Sequence, residues 1–182
     1  MEETNLQNLV TAVDEKRLLA TATALVDVPS PTCDATAVAA RLAEILTSDG
    51  FEVERPDAGW PTAPAVVTRL HGSRVGRTLQ FDGHLDTVHL PFVPASVVDG
   101  HLLGLGAADM KGGIAACVEA MRALRDADAL QGGSVLLTTH DHHEAPWGDG
   151  RQVHGLIEGG FTGDAVLLPE YLAHPLPLAG RG

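Results

Sequence analysis

Aromatic side chains are scarce, with 4 Phe, 2 Trp and 1 Tyr in 182 residues, so an interior has to be built from Ala, Val and Leu. Cysteine is scarcer still. Cys33 and Cys117 lie far apart and form neither a disulfide framework nor a CxxC metal site, which makes a reducing compartment the simplest reading. Basic residues are few: 12 Lys plus Arg stand against 24 Asp plus Glu, a formal net charge of −12. Such a surface argues against nucleic acid or an anionic membrane as partner, because phosphate rewards basic side chains, and it leaves carboxylates to spare for metal ligation. No apolar run approaches the roughly 18 residues of a membrane span. The opening MEETNLQNLV carries acids where a signal peptide needs bases, so a cytoplasmic protein is expected. What remains is 45% hydrophobic with 20 Gly and 11 Pro, which excludes collagen, coiled-coil and disordered compositions. The length suits one domain of about 100–200 residues.

The periodicity predicts helices over 15–25, over a segment capped by Asp34 or Thr36 and stopped by Gly50, over 113–124 and over Arg151–Glu158. In the third of these, Ile114, Cys117, Met121 and Leu124 share one face. Short apolar runs at Val53, 65–70, 79–81, 135–138 and 165–168 are too short for helices and read as strands. Strand and helix alternate, so the expected fold is α/β with a largely parallel central sheet.

Three polar clusters follow strands directly: Phe81-Asp82-Gly83-His84-Leu85-Asp86-Thr87, then His140-Asp141-His142-His143-Glu144, then Glu170. In open α/β sheets ligands bind outside the carboxyl ends of the strands, so these groups are expected to converge. A fourth cluster, from Gly104 through Asp109 to Gly113, leads into the Ile114 helix and puts a carboxylate at a helix start. Histidine and carboxylates without thiols suit zinc, cobalt or manganese at a hydrolytic site. Two ions about 3.5–4 Å apart fit if one carboxylate bridges them. His84 and Asp86 sit at i and i+2 and face one way on an extended strand end, so Asp86 can take the ring N–H that His84 does not use for metal.

These motifs resemble the co-catalytic zinc hydrolases that include acetylornithine deacetylase, succinyl-diaminopimelate desuccinylase, aminoacylase and glutamate carboxypeptidase. The resemblance runs in order through Val28-Pro29-Ser30-Pro31, Gly50-Phe51-Glu52-Val53, Gly83-His84-Leu85-Asp86-Thr87, the stretch Gly106-Ala107-Ala108-Asp109-Met110-Lys111-Gly112-Gly113, His143-Glu144, and Asp164-Ala165-Val166 leading to Glu170. It implies a three-layer α/β sandwich with a mixed, mostly parallel sheet. It implies two divalent ions, zinc first and cobalt or manganese next. His84 and Glu170 then bind one ion, Asp109 bridges, Glu144 binds the other, and Asp86 orients His84. The implied reaction is hydrolysis of an amide bond in a small peptide or N-acyl amino acid through a metal-activated water, with room for a homodimer of the full-length protein.

Two departures from the family pattern matter. The family has two adjacent glutamates at the third motif, the first the general base and the second a ligand, whereas His143 precedes Glu144 here. His143 and Asp86 are then the catalytic candidates. A shifted register, with Glu144 as base and His142 or His143 as ligand, stays open. The second departure is length: residues 1–182 are expected to be the N-terminal part of the catalytic domain, without the lid domain and final catalytic segment. A non-catalytic metal-binding remnant or truncated, inactive fragment is therefore the alternative, and one tight ion and one weak or absent ion are expected, with His142 or His143 as substitute donors for the second.

Other signatures fail on specifics. His143-Glu144 is not HExxH, because Pro146 breaks the needed helix and Trp147 takes the last place. No PCxxC follows His142-x-Glu144. The third glycine of GxGxxG falls on Asp109, which would repel a pyrophosphate. His71, His89, His101, His154 and His174 are read as structural or surface residues.

Overall fold

The computed structural model describes residues 2–170; His174 and the chain end lie outside them. In chain order the elements are α1 (Glu2–Thr11), α2 (Glu15–Val26), α3 (Thr36–Ser48), β1 (Val53–Glu54), β2 (Val66–His71), β3 (Thr78–His84), β4 (Ser96–Val98), β5 (His101–Leu103), α4 (Gly112–Asp126), β6 (Ser134–His140), α5 (Arg151–Glu158) and β7 (Ala165–Leu167). One sheet has the order β1-β2-β6-β3-β7. Strands β3, β6 and β7 run parallel, and β2 is antiparallel to both of its neighbours. The sheet is therefore mixed, with a parallel half that carries the polar clusters.

Alternation along the strands builds two apolar faces. Val66, Phe81, Val135 and Leu137 pack with Leu25, Val38, Leu42, Leu46, Ile114 and Met121 of helices α2 to α4. Val67 and Leu136 point the other way and meet Leu156 of α5. Helices thus cover both faces, the three-layer arrangement expected. Strand β7 closes the row with its three side chains exposed. No helix among the described residues is long and apolar enough to cross a membrane.

Neither Asp34 nor Thr36 caps α3 with its side chain. Asp141, arriving from the end of β6, takes that role by accepting from the backbone N–H groups of Cys33 (2.9 Å) and Ala35 (3.2 Å). A carboxylate from a distant loop thereby locks the start of α3 to the site. The β4–β5 hairpin was not anticipated, although its turn at Asp99 and Gly100, both at positive φ, is an Asp-Gly hairpin signal. Helix α1 has no counterpart in the expected elements either.

Helices α2 and α4 are joined by a buried ionic knot. Glu119 accepts from Arg17 Nη2 (2.7 Å), Arg17 Nε (2.9 Å), the Asp14 amide (2.9 Å) and Arg122 Nη1 (3.3 Å), while Arg122 also reaches Asp49 and Thr21. Burial pushes the Glu119 carboxyl up, but these donors outweigh it and hold its pKa below the usual range. A depressed carboxylate contributes stability above its unfolded pKa of about 4.3, and that stability is lost as pH falls through the folded value. Glu119→Ala, which strands part of a buried guanidinium, is expected to cost about 3 kcal/mol in urea unfolding at neutral pH. The gap between wild type and Glu119→Gln should shrink as pH drops below about 4.

Candidate metal centre

The parallel half of the sheet delivers the polar clusters to one place. His84 ends β3 and stands opposite His140, the last residue of β6, in the parallel register. The loop after β6 brings His143 and Glu144, and the chain after β7 brings Glu170. Asp109 arrives from a wide turn over Ala107–Lys111, closed by the Lys111 amide on the Gly106 carbonyl (3.0 Å), so it sits three residues ahead of α4 rather than on its first turn.

Small and polar residues frame this end of β3. Ser30 donates to the Leu85 carbonyl (2.8 Å), and the Thr87 amide donates to the Ser30 carbonyl (2.8 Å), which gives the Val28-Pro29-Ser30-Pro31 motif its structural role. Lys111 is buried and donates from Nζ to the Val28 carbonyl (2.8 Å). Burial pulls its pKa down to about 8 against the attraction of Asp86. A Cβ on Gly83 would lie 2.8 Å from Met110 Cε, so the flexible end of that side chain would have to shift, and the neighbouring His84 amide points at Met110 Sδ (3.3 Å).

His84 is the hub. Its Nε2 lies 3.0 Å from Asp109 Oδ1 and 3.7 Å from Glu170 Oε2. Its Nδ1 lies 2.9 Å from the main-chain carbonyl of Asp86 and 3.6 Å from Asp86 Oδ1. The carbonyl, rather than the carboxylate expected from the sequence, therefore takes the ring N–H. The Asp86 carboxylate is divided: Oδ2 accepts from the amides of His143 (3.1 Å) and Glu144 (2.9 Å), while Oδ1 faces the His84 ring from beyond hydrogen-bond distance. Asp86 fixes the ring with its main chain and the third-motif loop with its side chain, leaving Nε2 aimed at the carboxylates.

The remaining groups gather around Nε2. The His143 ring stacks on His84 with centroids 4.1 Å apart. His84, His143 and Glu170 each offer a ligand atom within 4.8 Å of one another, as do His84, Asp109 and Glu144. His142 is not brought in. Its backbone turns at φ +64, and its buried ring lies edge-on against Trp60 at 4.4 Å, with Nδ1 3.6 Å from Cys33 Sγ and 3.6 Å from Asp149 Oδ1. The expected use of His142 as a donor is therefore corrected, because Asp141 is pinned to the α3 start and directs the next side chain away. His140 lies deeper, with Nε2 3.5 Å from Asp82 Oδ2.

The charges fit a cation. Burial opposes charge on His84, yet the contacts with Asp109 and Asp86 outweigh it and raise the ring to about 10. Burial likewise opposes charge on Asp86, but the His84 ring and the Glu144 amide bring it down to about 2. The His84 ring also lowers Asp109. Glu144 is pushed up by burial and by Asp109, and His143 is pushed down by burial and the neighbouring His84 and His140 rings. A positive charge among these carboxylates is thus favoured, and the same oxygen and nitrogen atoms form groups that could hold a metal ion. Asp86→Asn keeps the side-chain volume but weakens the grip on the His143 and Glu144 amides. It is expected to lower zinc affinity about 10-fold or more in competition with a chromophoric chelator, with the circular dichroism spectrum unchanged.

Comparison with known proteins agrees with this geometry. Residues 80–168 match the profile described as Peptidase family M20/M25/M40. The succinyl-diaminopimelate desuccinylase of Methylorubrum populi is 38% identical over 141 residues, which cover 70% of this chain and 36% of that protein. Among solved structures, aminopeptidase PepT from Bacillus cereus superposes with a TM-score of 0.62 at 27% identity, covering 74% of this chain and 38% of that one. Human carnosine dipeptidase 1 has the same fold, with a TM-score of 0.70 at 22% identity over 94% of this chain and 41% of that one. The chain thus spans less than half the length of these proteins. Residues 80–168, which carry β3, β6 and the loops around His84, belong to peptidase family M20.

Proposed function

We propose that the chain is the metal-holding part of a hydrolase that cleaves an amide bond in a small peptide or an N-acyl amino acid. The observation that carries this reading is the convergence of His84, Asp109, His143, Glu144 and Glu170 at the carboxyl ends of parallel strands, with ligand atoms within 4.8 Å in two overlapping sets. The matched desuccinylase is named for deacylation and the superposed structures for peptide cleavage, and both are amide hydrolyses. Residues 1–182 stand in this proposal as part of a catalytic domain whose relatives are more than twice as long. The two free thiols fit the reducing, cytoplasmic setting read from the sequence.

In this reading His84, Asp109 and Glu170 hold one divalent ion, zinc first, and Asp109 with Glu144 hold a second, weaker one. When bound, such ions lower the pKa of water and polarise an amide carbonyl. Asp86 keeps the His84 ring in one tautomer and holds the backbone that carries His143 and Glu144. Burial and neighbouring rings keep His143 neutral, the state in which it accepts a proton. Glu144, with its pKa raised, is the second candidate for that proton. One observation favours the competing reading of a non-catalytic metal-binding remnant: an imidazole stands where the family carries a glutamate base.

Hydrolysis of an acyl-amino-acid and dipeptide panel in zinc or cobalt separates the two. Metal-dependent turnover that falls about 10³-fold or more in His84→Ala supports the hydrolase. A folded, metal-loaded protein without turnover supports the remnant. Metal counting after chelator stripping and zinc titration should find one tight ion and one weak ion. Two equally tight ions, or tight binding that survives His84→Ala, would contradict the ligand set.

A further inference from the structure

Two side chains, each three residues along the chain from a residue of the site, have no role so far. Trp147 is 55% exposed, and its ring rests on His89 with centroids 4.1 Å apart and planes tilted by 42°. His89 is itself anchored, donating from Nε2 to the Thr32 carbonyl (3.1 Å). Neither residue hangs on a free loop. His89 comes three residues after Asp86 and Trp147 three residues after Glu144, and the two segments are tied together where the Asp86 carboxylate accepts the Glu144 amide (2.9 Å). The turn that carries Trp147 is closed by the Gly148 amide on the Glu144 carbonyl (2.7 Å). That turn is tight enough that a Cβ on Gly148 would overlap the His143 carbonyl. Three residues of chain reach at most about 10 Å, so the backbones of His89 and Trp147 lie within that span of Asp86 and Glu144.

We propose that Trp147, backed by His89, is a shelf that receives an aromatic group of the substrate next to the scissile amide. The proposal rests on the amide-hydrolase reading and narrows its substrate class to N-aroyl or arylalkanoyl amino acids and dipeptides with an aromatic residue. Trp offers a broad π face, and offset or edge-on aromatic contact adds to the burial of apolar area on both partners. An exposed ring that is already ordered by a neighbour gives this contact at small entropic cost. The same strand-end loop continues with Leu90, Phe92 and Val93, all exposed, so the shelf borders an apolar rim.

The test uses the 182-residue protein and two readouts. In the first, tryptophan emission is titrated with hydrocinnamate, acetate and succinate. Hydrocinnamate should give a saturable change that disappears in Trp147→Phe, where only Trp60 emits, and that needs about tenfold more ligand in His89→Ala; acetate and succinate should give none. No saturable change with hydrocinnamate, or an equal response to succinate, overturns the shelf. In the second, Trp147→Ala should raise KM for a hydrocinnamoyl amino acid about tenfold relative to its acetyl counterpart, and Trp147→Phe should restore most of the preference. An equal effect on both acyl groups overturns it too. Absence of turnover with every substrate would count against the hydrolase reading, while the emission titration would still decide the shelf.

Discussion

Everything at this site hangs on the double use of Asp86. Its carbonyl takes the ring N–H of His84, and its carboxylate takes two consecutive amides of the loop after β6. One residue therefore sets the direction of His84 Nε2 and the position of His143 and Glu144 relative to it. Burying the Asp86 carboxylate is costly, and the two amides on Oδ2 together with the neighbouring His84 ring offset that cost. The parallel register of β3 and β6 supplies the coarse alignment, and Asp86 supplies the fine one.

The electrostatics follow from that arrangement. Bringing Asp86, Asp109, Glu144 and Glu170 toward one imidazole concentrates negative charge, and among the described residues it is relieved by hydrogen bonds and a charged ring rather than by an ion pair to arginine or lysine. Lys111, a buried ammonium that feels the charge of Asp86, spends its donor on the Val28 carbonyl and stabilises the frame. The opposite strategy appears between α2 and α4, where Arg17 and Arg122 both pair with Glu119. A cluster left short of cations at the open end of a sheet is the arrangement that favours a metal ion.

Much of this was legible in the sequence, for reasons that differ by residue. Helix α5 and the strands β3, β6 and β7 are short, strongly patterned segments bounded by Gly, Asp or Pro, so their type and position follow from periodicity. Convergence of His84, Glu144 and Glu170 follows from the rule for carboxyl ends of parallel strands. The start of α3 was misread because its cap comes from Asp141, more than a hundred residues away, and local capping signals cannot show a tertiary partner. The direction of His142 was hidden for a related reason: adjacent histidines in a run look equivalent until the backbone turn at His142 sends one ring toward Trp60 and the next onto His84. His89, set aside as a bystander, gains meaning only from its contact with Trp147.

The most direct measurement of the central claim is a crystal structure of the zinc-loaded protein with anomalous data collected on both sides of the zinc absorption edge. A zinc peak bonded to His84 Nε2 and a carboxylate of Asp109, with the His84 Nδ1 to Asp86 carbonyl bond retained, is the predicted result. Zinc bound instead beside Cys33 and His142, or a His84 ring without metal at saturating zinc, would contradict it.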